Sequence, residues 1–67
     1  MAEIPALANL LRETGQHHDH FEKTHLKHDW WDWYAAYMAA RQAGHDPDAA
    51  SAEATRYMEE EKHILPL

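Results

Sequence analysis

Five of the seven histidines in this 67-residue chain lie between positions 17 and 28, and imidazole serves both as a metal ligand and as a proton carrier near neutral pH. Within that stretch His18, Glu22, His25 and Asp29 follow one another at steps of four, three and four, so a continuous helix would line them along one face. Imidazole and carboxylate at one-turn spacing can chelate zinc, or iron and manganese when further carboxylates join. Glu22-Lys23-Thr24-His25 and Glu60-Glu61-Lys62-His63 both have the Glu-x-x-His form that di-iron carboxylate bundles use twice. The candidate metal ligands are therefore His18, Glu22, His25, Glu60 and His63. No cofactor is expected beyond such an ion. The plainer reading of the same residues is a solvated polar rim that gains positive charge below pH of roughly 6.5, and a small-ligand pocket is a third.

Nucleophilic catalysis has little to draw on. The chain has no Cys, and its one serine, Ser51, falls where a third helix is expected, with no histidine at nearby spacing. Thr14, Thr24 and Thr55 have no evident activating neighbour. A hydrolytic metal site would also need an open coordination position and a cleft, which a bundle of this size seldom encloses. The chain alone is not expected to be an enzyme.

A second group of residues suits contact rather than chemistry. Trp30, Trp33, Tyr34, Tyr37 and Arg41 share one face of a helix, while Trp31, Ala35, Met38 and Gln42 share a face turned by about 100°. Either this helix is central and packs on both neighbours, or one of its faces meets another molecule. Trp and Tyr favour such surfaces because a large apolar body carries one polar tip and little rotamer entropy. Trp30, Trp31, Trp33, Tyr34, Tyr37 and Met38 are the candidate interface, toward a second copy of the chain or another protein.

The elements that must position both groups are helices. Val is absent and only two Ile and three Thr occur, whereas Ala, Glu and Leu abound. Pro5 suits a first helical turn, and Leu7, Leu11, Thr14, His18, Phe21 and His25 trace one stripe with Leu10 beside them. Asp29 is placed to cap a second helix, which Gly44 would end. Asp46-Pro47-Asp48 then repeats the start signal, and Ala50, Ala54, Tyr57, Met58, Ile64 and Leu65 would face inward before Pro66 stops the third helix. The spacing predicts an all-α fold of three helices, 5–25, 29–43 and 47–65, in one domain. Short connections favour an up-down-up bundle or an open array. In that topology the His-rich end of the first helix, the start of the second and the end of the third share a pole.

Twelve of the thirty hydrophobic residues are Ala, leaving eighteen larger apolar side chains. A core this small usually needs a disulfide, a metal or a partner chain, and the lack of Cys removes the first. Completion by oligomerisation is therefore expected. The net charge of −6 with scattered cations argues against nucleic acid, whose phosphates call for clustered Lys and Arg. No apolar run approaches the roughly 18 to 20 residues of a membrane span, and no basic stretch precedes an apolar core at the amino terminus. A cytoplasmic location is the expectation.

The stretch His28-Asp29-Trp30-Trp31-Asp32-Trp33-Tyr34-Ala35-Ala36-Tyr37-Met38, followed by Ala40-Arg41-Gln42, Gly44, Pro47, Ala50-Ser51-Ala52 and Arg56-Tyr57-Met58, resembles a family of small bacterial helical segments. That family is associated with products labelled as bleomycin-resistance or glyoxalase-related. The similarity extends back through Leu10-Leu11, His17-His18 and Phe21-Glu22. It implies an accessory helical module, free-standing or fused to such enzymes, with no catalytic residue to carry over. The glyoxalase label implies a βαββ fold that a chain so poor in strand-forming residues cannot adopt. The family pattern carries Pro near position 26 and apolar residues near 25 and 61, where this chain has Leu26, His25 and Glu61.

Overall fold

A computed structural model describes residues 4–25 and 27–66, so Glu3 and Leu26 lie outside the described residues. Three helices follow in order, α1 (Ile4–Thr24), α2 (Trp30–Gln42) and α3 (Pro47–Glu60). The all-α expectation holds, and none of these helices is long and apolar enough to cross a membrane. Helix α2 is central. It packs most extensively on α3 and also on α1, whereas α1 and α3 approach each other least.

Local chemistry explains most boundaries. The Asp46 carboxylate accepts from the Ala49 N–H at 2.8 Å and Pro47 occupies the first turn of α3, which satisfies a donor left free by helix geometry. At the end of α2 the Gly44 N–H donates to the Arg41 carbonyl and the His45 N–H to the Ala40 carbonyl. Gly44 makes this closure possible with φ of 103°, a region costly for any residue bearing a Cβ. Gly44→Ala should therefore cost about 1–2 kcal/mol, read as a drop in melting temperature. Gly44→Asn should recover part of it.

Two expectations about helix ends fail. Asp29 sits at the start of α2 with extended backbone, but its side chain makes no capping bond. Helix α3 stops at Glu60 rather than continuing to 65. His63 adopts a left-handed φ of 57°, and the Ile64 N–H folds back to the Met58 carbonyl at 3.0 Å. This turn brings Pro66 beside His25, where their backbones form a single antiparallel bridge. Leu65 is left exposed, while Ile64 packs on the core from outside the helix.

The core comprises Phe21 of α1, Trp33 and Tyr37 of α2, and Ala50, Ala54 and Met58 of α3. On α3 the inward positions recur every four residues, and two are Ala, so the backbones of α2 and α3 can lie close with Ala36 and Ala40 opposite. The amino-terminal part of the α1 stripe is left uncovered. Thr14, His18 and Phe21 are buried, but Leu7 and Leu11 are exposed. The reason is length. Glu13 of α1 already bonds Tyr37 and Arg41 near the carboxyl end of α2, and Leu10 is the first residue of α1 to pack on the core, so the turns of α1 before Leu10 extend past that core.

Candidate functional site

The polar side chains form separate stations along α1 rather than one cluster. At the first, the Tyr37 hydroxyl donates to Glu13 Oε2 at 2.6 Å and Arg41 Nε donates to the same oxygen at 2.8 Å. Arg41 also donates to the His45 carbonyl. The guanidinium bond, then the phenol, holds the Glu13 carboxyl below its ordinary range. Burial, then the carboxylate, pushes the Tyr37 phenol up to about 12. The group locks α1 to the end of α2.

One turn on, His17 stacks on Tyr37 and its Nδ1 lies 2.8 Å from Ser51 Oγ. Sequence spacing gave no sign of this pair, because 34 positions separate its members. It is a serine–histidine contact, but Ser51 lies within α3, where helical bonding consumes the nearby backbone N–H groups that would steady an oxyanion. Its evident role is to bridge α1 and α3.

His18 occupies the next station. It is buried among aromatic rings, with the Trp33 and Tyr34 centroids at 5.6 and 5.2 Å. Its Nε2 lies 2.9 Å from His28 Nε2, one ring donating to the other. On the opposite edge, Nδ1 faces Glu22 at 3.9 Å. Burial lowers the His18 pKa, and Glu22 opposes that effect. His18, Asp19 and Glu22 present ligand atoms within 4.8 Å of one another.

The remaining proposed ligands lie elsewhere. His25 stacks on Phe21 with ring centroids 4.0 Å apart, and its Nε2 meets Glu59 Oε2 at 2.7 Å. It lies seven positions after His18, just past the end of α1, about 10 Å farther along the helix direction. Glu60 is exposed, 3.9 Å from Arg56. Counting from the inward Met58, Glu60 is turned by about 200°, so the neighbouring Glu59 meets His25 instead. His63 is exposed in the turn after α3. Of the five metal-ligand candidates, the structure brings together His18 and Glu22, adds Asp19, and separates His25, Glu60 and His63 from them.

The aromatic helix divides as sharply. Trp33 and Tyr37 are buried within the chain, with rings stacked at 5.2 Å, and Met38 packs on the core. Trp33 and Tyr37 are thus enclosed within the chain, whereas Met38 is only partly buried. Trp33 is enclosed so fully that its Nε1–H lacks an acceptor among the described residues. Trp30 and Trp31 are 52% and 54% exposed, edge to face at 5.6 Å. Trp30 also meets Tyr34 edge to face at 4.9 Å, and these two form the α2 wall of an open groove of about 720 Å³. The α1 side supplies Ala8 and Leu11 toward one end, Gly15 in the middle, and His18, Asp19 and Glu22 toward the other. Gly15 matters because a Cβ there would lie 2.8 Å from the Tyr34 hydroxyl. Its absence lets that ring lie low against α1.

No family model, curated protein or solved structure matches the chain.

Proposed function

We propose that the chain is a helical interaction module, without catalysis of its own, that self-associates or docks on a partner through one face. Supporting this reading is the uneven use of a scarce resource. Trp30, Trp31, Leu7 and Leu11 remain exposed in a chain with eighteen large apolar side chains. Leu7 and Leu11 are one turn apart on α1, Leu11 shares the groove with Trp30, and Trp31 touches Trp30. Exposed large apolar side chains gathered along one groove and its rim commonly mark a contact site.

Tryptophan emission supplies the test. Covering Trp30 and Trp31 should shift emission to the blue and reduce quenching by acrylamide, either as the protein concentration rises from micromolar to millimolar or on addition of amphipathic helical peptides. Trp30→Ser with Trp31→Ser should remove the response. Emission and quenching unchanged across the concentration range and with acidic, neutral and basic peptides would overturn the reading.

A second reading, divalent-metal binding, draws on the proximity of His18, Asp19 and Glu22. Zinc, iron and manganese are the ions suited to imidazole with carboxylates. Equilibrium dialysis without stoichiometric uptake would dispose of it.

A further inference from the structure

The groove between α1 and α2 differs from the rest of the surface in combining an apolar wall with uncompensated negative charge. Its α1 edge runs from Ala8 to Glu22, about 21 Å or four helical turns. It is open along that length, the shape that accepts a helix laid into it rather than a small enclosed ligand. At one end Leu11 and Ala8 offer apolar contact. At the other, Asp19 has no ion pair among the described residues, and Glu22 has only the buried His18 ring, 3.9 Å away. The one cation lining the groove, Arg12, keeps its charge while donating to the neutral Asn9 amide at 2.7 Å, but it lies two helical turns from Asp19, about 10 Å along α1.

We propose that this groove receives a basic amphipathic helix of another protein, whose apolar face seats on Leu11, Trp30 and Tyr34 and whose Lys or Arg side chains meet Asp19 and Glu22. This rests on the contact-face reading above and names the partner's chemistry. Carboxylates beside an aromatic wall favour a cation twice over, by charge and by the negative faces of the rings. A second copy is poorly matched. Each chain brings a charge of −6, and three of its six cations are engaged by acids: Arg41 by Glu13, Arg56 by Glu53 and Lys62 facing Asp32. Arg12 belongs to the groove itself. Of the two others, Lys23 lies in the last turn of α1 and Lys27 in the connection to α2, neither beside an exposed apolar stripe.

The test uses a labelled synthetic helix of Leu, Ala and Lys, about 16 residues long to match the groove, with binding followed by fluorescence anisotropy. Two comparison peptides carry Glu in place of Lys, or the same composition with the apolar stripe scrambled. The Lys helix should bind and should weaken as salt is raised. Affinity should fall about tenfold or more for either comparison peptide, for D19N/E22Q and for W30A. It should hold within about twofold for E60Q/E61Q, which removes the same charge from the carboxyl end of α3, outside the groove lining. All altered side chains are exposed, and circular dichroism verifies that each variant folds. Equal loss in D19N/E22Q and E60Q/E61Q, or equal binding of the scrambled peptide, would overturn the proposal. A chain that ignores the Lys helix but dimerises, with a dimer weakened by W30A, would overturn the basic partner while sustaining the contact face. Neither peptide binding nor self-association would sink both.

Discussion

Replacing Trp33 by Ala should abolish the cooperative unfolding transition, whereas Trp31→Ala should leave the melting temperature almost unchanged. The two residues have the same type, helix and neighbourhood, and differ in burial: 1% against 54% exposed. Truncating a buried Trp forfeits its transfer energy and leaves a cavity between Phe21 and Tyr37, at a cost of about 3–5 kcal/mol. A domain of this length has a total stability of roughly 3–10 kcal/mol. The substitution thus removes much or all of it. Trp31→Ala should stay within about 0.5 kcal/mol, as exposed positions do. Trp33→Phe should be milder than its lost volume implies, because it also removes the indole N–H that has no acceptor. Thermal unfolding of the three variants tests this ordering. A destabilised Trp31→Ala or an unaffected Trp33→Ala would mean that α2 is rotated about its axis, with Trp31 rather than Trp33 inward.

The second large effect is acid destabilisation through His18. Burial among Trp33, Tyr34 and Phe21 lowers its pKa from 6.5, the opposing charges being Glu22 and Asp19 on the same helix. A base whose pKa is lowered by folding is stabilised in its neutral form. Its contribution is therefore intact above the unfolded value of 6.5 and is lost as pH falls below that value toward the lower folded one. The contact with His28 acts in the same direction. Two nitrogens 2.9 Å apart share one proton in a hydrogen bond, and a second proton sets two N–H groups against each other. Loss of that bond is worth on the order of 1–2 kcal/mol. Urea midpoints should therefore fall between pH 7.5 and 5, pH values chosen to bracket the ordinary range of roughly 6.5 for His. His18→Gln, which keeps hydrogen-bonding capacity without titrating and leaves the His25–Glu59 pair in place, should flatten the fall. A midpoint that stays level in the unaltered protein, or an equal fall in the variant, would contradict this role.

The helix starts and stops were legible where one residue's backbone chemistry decides them. Gly44 and the Asp46-Pro47 pair behave as their types require. Asp29 had the right type in the right place, yet its carboxylate makes no bond to the first turn, and position alone does not show whether a side chain turns inward. The end of α3 was illegible for a related reason. The sequence around Glu61 and Lys62 favours helix, but the Ile64 N–H finds the Met58 carbonyl and Pro66 finds His25 only once the chain has folded back.

The site was read by residue type but not by register. His18 and Glu22 are neighbours because both belong to one helix. His25 chose Glu59 over Glu60 because the phase of α3 is fixed by Ala50, Ala54 and Met58. Nor could spacing separate Trp33 from Trp31, since both positions satisfy an amphipathic pattern on a helix with neighbours on two sides. The overhang of α1 depends on which turn meets the end of α2, set by the Glu13 contacts with Tyr37 and Arg41. That overhang exposes Leu7, while Leu11 is exposed along the open groove.

Three tryptophans give three indole N–H resonances, and they supply the most direct test of the contact face. As the Leu-Ala-Lys helix is added to nitrogen-15-labelled protein, the signals of Trp30, Leu11, Asp19 and Glu22 should move together and saturate. The indole signal of Trp33 and the backbone signals of α3 should stay in place. A titration in which Trp30 remains still, or in which the shifts gather on α3, would show that this face is not where the protein makes its contact.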